Sequence, residues 1–203
     1  MTDFSKTLLI LDGPSDIKAM KGKLQKEFSN CPQFRKAPCN GHTVTVEGYV
    51  NGIFGIINLA LNQKYLNIFC VLDREKRQIS ATNLAKKIHN KLIQKIDSST
   101  KISKIELNEK IKIVAADRML ENWIIADLEG IKKRKNLINI NSQQELFDGK
   151  SGVKLLKQFM IVNYNKVQHA ELLFKAVSIE RAIKYSPSFN KFILMIESVK
   201  SNN

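Results

Sequence analysis

Asp12, Asp73 and Glu75 are the residues whose type and spacing best suit chemistry. Asp12 closes the apolar run "TLLILD" and is followed by a Gly-Pro turn and a second acid, Asp16, in "LILDGPSD". Asp73 closes "YLNIFCVLD", and Glu75 follows two residues later in "CVLDREKR". Carboxylates are hard donors. Mg²⁺ takes one or two of them and fills its other positions with waters and phosphate oxygens. Three such acids at neighbouring strand ends would make a magnesium (or manganese) site for phosphoryl-transfer chemistry. The competing reading is that each acid only terminates a strand. A lone D-x-E favours that reading; a second acid at an equivalent strand end balances the two.

Other residues stand behind these. Glu121, in "RMLENWIIAD" (118–127), either adds to the metal site or is a solvated helix acid. Asp117 reads as the N-cap of that helix, and Trp123 as core. "DGKSG" (148–152) imitates a phosphate-binding P-loop, but the glycine required four residues before the Gly-Lys pair is replaced by Gln144. The motif is therefore read as a turn opening a helix, with Lys150 placed to contact a phosphate. Lys132, Lys133, Arg134 and Lys135 either track a nucleic-acid backbone or form a solvated charge run. Glu47, in "VEGY", is the alternative first acid, but no apolar strand leads into it. His42, His89 and His169 show no convergent spacing, and Cys31, Cys39 and His42 lack the paired spacing of a structural zinc site.

The elements that must position these acids alternate. Strand-like runs at 7–12, 65–73 and 110–117 are apolar, and "QFRKAPC" reads as an edge strand. Helical spacing appears at 15–28, with Ser15 as its cap, and at 48–63, 80–96 and 118–131. Alternating strands and helices imply an α/β fold: a mostly parallel central sheet with helices on both faces. In such sheets ligands sit at the carboxyl ends of the strands, where Asp12 and Asp73 lie. The division expected is an α/β core over 1–130 and a helical C-terminal extension over 131–203 packed on the same domain.

Composition narrows the function classes. A net charge of +14 points to a polyanionic partner, nucleic acid first. Lysine, asparagine and isoleucine are abundant throughout, so general compositional bias competes with that reading. Three cysteines make no disulfide framework. No apolar window approaches a membrane span, and no basic leader precedes the first strand, so a cytoplasmic protein is expected.

"LDGPSD" and "LDREKR" together resemble the TOPRIM fold of topoisomerases, primases and OLD-type nucleases, in which an acid ends the first strand and a D-x-D turn ends a later one. With "RMLENWIIAD", "DGKSG" and "SPSFNKF" (186–192), the whole chain resembles small bacterial TOPRIM-like proteins often encoded beside ABC-type ATPases. The resemblance implies a Mg²⁺- or Mn²⁺-dependent nuclease acting on DNA or RNA, an antiviral defence effector with an ABC-type ATPase partner. The metal ligands would be Asp12, Asp73 and Glu75, with Glu121 assisting. Two departures stand out: Asp12 replaces the usual glutamate, and Glu75 replaces the usual second aspartate. A catalytically inactive TOPRIM-like adaptor that binds an ATPase or nucleic acid is the alternative. Whether the chain forms a homo-oligomer is left open.

Overall fold

A computed structural model describes residues 4–28, 30–41 and 43–199. The first part of the chain runs β1 (Thr7–Leu11), α1 (Pro14–Glu27), β2 (Gln33–Lys36), α2 (Val46–Asn62), β3 (Asn67–Asp73), α3 (Ala81–Asp97), α4 (Lys104–Lys110) and β4 (Ile111–Ala116). The four strands form one all-parallel sheet in the order β2-β1-β3-β4. Parallel neighbours require a crossover connection, which α1, α2 and α3 supply.

Strand side chains alternate between the two faces, so each face gathers its own core. Leu8, Ile10, Ile68, Cys70, Leu72 and Ile113 pack beneath α2 and α3. Leu9, Leu11, Phe69, Val71, Val114 and Ala116 face the other layer. That layer holds α1 and a helical tail: α5 (Leu120–Ile125), α6 (Leu128–Lys132), α7 (Gly152–Phe159), α8 (Lys166–Ala176), α9 (Ile179–Tyr185) and α10 (Pro187–Glu197). Phe174, Phe189 and Phe192 from the tail share one core with Trp123 and the strand residues. The fold is thus α/β with a four-stranded parallel sheet, helices on both faces and C-terminal helices.

Several boundaries differ from the sequence reading, each for a local reason. Helix α1 is capped by extended Gly13 and starts at Pro14, not at a Ser15 cap. Proline suits the first helical position because its missing N–H needs no partner there. Asp117 does not cap α5. Met119 holds that position, and the Asp117 carboxylate pairs with Arg74 Nε at 2.6 Å. Helix α4, capped by Ser103, was not anticipated.

The helix expected over 118–131 is two helices, and in the C-terminal extension α8 and α9 are separated at Ser178. One buried carboxylate enforces both breaks. Asp127, 1% exposed, caps α6 by accepting from Gly130 N at 3.0 Å. It also accepts from Ser178 N at 2.7 Å and from Arg181 Nε and Nη2 at 2.7 and 2.9 Å. Among the described residues no helix is long and apolar enough to cross a membrane.

Burial alone would raise the Asp127 carboxyl, but Arg181 and the Ser178 and Gly130 N–H groups outweigh it and hold it below its ordinary value. Its stabilising contribution is therefore present above the unfolded carboxyl range and is lost as pH falls through the folded value. Asp127→Ala should cost about 2–4 kcal/mol at pH 7, because two N–H groups and a guanidinium lose their acceptor. Urea unfolding measures this. The difference from the parent should shrink on acidification, and a substitution costing under about 0.5 kcal/mol would remove Asp127 from this role.

Candidate active site at the strand ends

β1 and β3 are hydrogen-bonded neighbours with Leu11 opposite Val71, so their carboxyl ends open side by side. The alternation that sorts the two cores also sorts the acids. Asp12 continues the Leu8–Ile10 face and meets Tyr49 and the loop at Gly41. Asp73 continues the Phe69–Val71 face and meets α5. Between them lies a cavity of about 300 Å³, lined by Asp12, Asp16, Asp73, Glu75, Lys36 and Lys166 among others.

Asp12 is 8% exposed. Its Oδ2 accepts from Gly41 N at 2.9 Å, and its Oδ1 has no well-formed hydrogen bond. Burial pushes its carboxyl up to about 6, helped by the charge of Asp16. The Gly41 N–H, and the Asp73 N–H and Tyr49 hydroxyl nearby, offset part of that rise. Asp73 Oδ1 accepts from Leu120 N at 2.9 Å, which satisfies the first free N–H of α5. Burial raises the Asp73 carboxyl well above the ordinary range; Lys166 opposes this, and Asp16, Glu121 and Asp12 add to it.

Glu121 is 1% exposed. Its Oε1 accepts from the Tyr164 hydroxyl at 3.0 Å, and its Oε2 is buried without a hydrogen-bond donor. Burial and the neighbouring Glu121 carboxylate raise the Tyr164 hydroxyl, so it stays a donor. Glu75 adopts φ 54, the left-handed region that costs a side-chain-bearing residue about 1 kcal/mol. Its N–H donates to Arg118 O at 2.6 Å, and the turn leaves Glu75 on the cavity wall.

The cationic member is Lys166, the first residue of α8. Its Nζ lies 2.7 Å from Asp16 Oδ1, 3.6 Å from Glu121 Oε1 and 4.0 Å from Asp73 Oδ2. Burial would lower this ammonium, but Glu121, Asp73 and Asp16 raise it overall and keep it charged.

Of the residues singled out from sequence, Asp12, Asp73 and Glu75 line one cavity, and Glu121 joins them through Lys166. Lys150 is not on the cavity wall; its ammonium pairs with Glu145 at 2.7 Å. Lys132, Lys133, Arg134 and Lys135 are exposed at and just beyond the end of α6. Glu47 sits in the first turn of α2, paired with Lys91 at 2.5 Å. His89 bonds Ile111 O and His169 accepts from Asn165 N. His42 lies outside the described residues. Sequence reading missed Asp16 as a member of the cluster, although "LDGPSD" displayed it. Lys166 and Tyr164 gave no signal at all.

A model of the DUF4276 family, described as a domain of unknown function, matches residues 12–197. The chain belongs to the DUF4276 family. The match runs from Asp12 to the last residue of α10, so it takes in both the strand-end acids and the tail helices. No curated protein and no solved structure matches the chain.

The donor set suits a hard divalent cation: carboxylates without histidine or cysteine, with buried oxygens on Asp12 and Glu121 that make no well-formed hydrogen bond. Among the described residues, however, no three such side chains are already arranged to hold an ion. The Lys166 ammonium stands between them. The acids fit such an ion in chemistry, and the Lys166 ammonium lies within 4.0 Å of three of them.

Charge crowding gives a prediction. A carboxyl titrating near 6 in the folded chain binds its proton more tightly there than when unfolded. Stability should therefore fall as pH rises through about 4 to 6 and stay lowered above that window. In buffers containing a chelator, Asp12→Asn should be more stable than the parent by about 1–3 kcal/mol at pH 7.5, and the gap should close by about pH 4. Thermal melts across that range measure it. A gap that does not change with pH would sink the assignment.

Proposed function

We propose that this DUF4276 protein is a TOPRIM-like, divalent-metal-dependent nuclease that cleaves phosphodiester bonds in DNA or RNA. The observation that carries the proposal is convergence. Oxygens of Asp16, Asp73 and Glu121 all lie within 4.0 Å of one cationic point, beside a cavity that Asp12 and Glu75 also line. The position at the carboxyl ends of adjacent parallel strands supports it, as does the net charge of +14.

Asp12, Asp73 and Glu121, with Asp16 and Glu75, would hold Mg²⁺ or Mn²⁺. Such an ion supplies an activated water and charge stabilisation at the scissile phosphate. The chain's own residues do the rest. The Leu120 N–H fixes one oxygen of Asp73 and leaves the other facing the cavity. Tyr164 fixes Oε1 of Glu121 in the same way. Lys36 at the end of β2 and Asn40 in the following loop put donors on the cavity wall, where a phosphate oxygen would arrive. Glu75 offers an acceptor on that wall that can orient a water. A role in antiviral defence with an ABC-type ATPase partner belongs to the same proposal and rests on the family resemblance. The inactive adaptor is the second reading. It is favoured by one observation: an ammonium already fills the point a cation would need.

Incubation of the purified protein with Mg²⁺ or Mn²⁺ and plasmid DNA, single-stranded DNA or structured RNA tests the reading. Cleavage should stop with chelator and drop about 100-fold or more in Asp73→Ala, the scale of losing one main charge-stabilising group. Cleavage that survives Asp73→Ala would exclude this site as its source. No cleavage of any substrate would favour the adaptor.

A further inference from the structure

The C-terminal helix α8 contributes a charge to a cluster of acids drawn from a strand end and from helices α1 and α5. Lys166 comes from α8, far along the chain, and it meets Asp73 at the end of β3, Asp16 in α1 and Glu121 in α5 at once. Nothing local favours a cation there. Lys166 is the first residue of an eleven-residue helix, the end at which the peptide dipoles disfavour positive charge. The acids must therefore hold the ammonium in place. Its backbone is fixed: Asn165 caps α8 by accepting from Val167 N and Gln168 N. The flexible stem is not fixed in that way, and the side chain, 29% exposed, lines the cavity and so has a route out.

Of the other nearby positive charges, Lys36 also lines the cavity, and three are occupied elsewhere. Arg74 pairs with Asp117, and Arg77 donates to Gly41 O and Val44 O. Lys18 pairs with Glu171 at 3.4 Å. Against Lys166 stand Asp12, Asp16, Asp73 and Glu121, each less than one-sixth exposed at the side chain or residue level. Two of their oxygens, Asp12 Oδ1 and Glu121 Oε2, are buried without a well-formed hydrogen bond, and the ammonium pairs with neither. One monovalent group therefore stands where a divalent ion would serve more of the set.

We propose that Lys166 is a tethered counter-cation of this cluster: its ammonium takes the place of a divalent ion among Asp16, Asp73 and Glu121, and must leave for the ion to enter. This rests on the metal-dependent reading above. Lys166 thereby sets the ion concentration at which the site loads. Without the ion it keeps the acids from repelling one another apart. The tail then regulates the site as well as covering the sheet.

Calorimetric titration of Mn²⁺ into the full-length parent, Lys166→Met and Lys18→Met tests the proposal. Methionine keeps the length and apolar bulk of the stem and removes the charge. Lys166→Met should bind Mn²⁺ at least tenfold more tightly than the parent, while Lys18→Met changes affinity less than twofold. Thermal melts should agree: without metal Lys166→Met melts below the parent, and saturating Mn²⁺ raises its melting temperature more than the parent's. If Lys166→Met is not folded without metal, Lys166→Gln carries the same comparison. Equal or weaker Mn²⁺ binding by the Lys166 variant overturns the counter-cation role and leaves the metal-dependent reading standing. No binding by any of the three proteins at millimolar Mn²⁺ overturns both.

Discussion

Like charges gathered in a dry place set the terms for this structure. Asp12, Asp16, Asp73 and Glu121 lie at the end of a parallel sheet, where water can solvate them only in part. Carboxylates in such a place either take up protons, find donors or find a cation. All three outcomes occur here. Asp12 and Asp73 hold their protons more tightly than usual. Gly41, Leu120 and Tyr164 each donate to one oxygen. Lys166 supplies the cation. Few arrangements offset so much crowded negative charge for stability alone, because a well-packed apolar cluster would serve the fold as well. That asymmetry is the physical reason to look for function at this end of the sheet.

The motifs that suggested chemistry divide into those that line the cavity and those that brace it. "DGKSG" braces. Gly149 N donates to Asp117 O, and Asn122 donates to Phe147 O and Lys150 O, which ties the loop to the start of α5. Gly152 packs so closely that a Cβ there would come 2.8 Å from Asn122 N and Glu121 Cβ. Asp148 in turn accepts from Ser186 Oγ and Ser188 N and so holds the start of α10. Ser188 Oγ accepts from Trp123 Nε1 at 2.8 Å, which closes the loop of contacts around α5. "RMLENWIIAD", "DGKSG" and "SPSFNKF" therefore meet in space, and what they hold still is the helix that carries Glu121.

The parts of the fold that follow from local pattern were legible. β1 and β3 are unbroken apolar runs ended by an acid, and α2 and α3 have clear apolar stripes. The strand-end acids were legible for the same reason, because parallel sheets put strand ends together. Contacts made across the chain were not. A single buried Asp127 cuts two helical patterns, since its donors come from Gly130, Ser178 and Arg181, up to 54 residues away. Asp16 looked like an ordinary first-turn acid, favourable to any helix. Lys166 is one of 33 basic residues, and no spacing distinguishes it. Only the packing of α8 beside α1 and α5 makes it the exception.

Asp12 itself shows how the chain holds a short acid at a strand end. Its carboxylate sits about one C–C bond, ~1.5 Å, nearer the backbone than a glutamate's would. The chain meets it by bringing backbone inward. Gly41 N reaches Oδ2, and a Cβ on Gly41 would lie only 2.9 Å from that oxygen, so a larger residue would hold the loop away. Arg77 clamps the same loop through Gly41 O and Val44 O. One oxygen of Asp12 is thus spent on the loop, and Oδ1 is left buried without a well-formed hydrogen bond. A glutamate at the same position would have to displace the Gly41 loop.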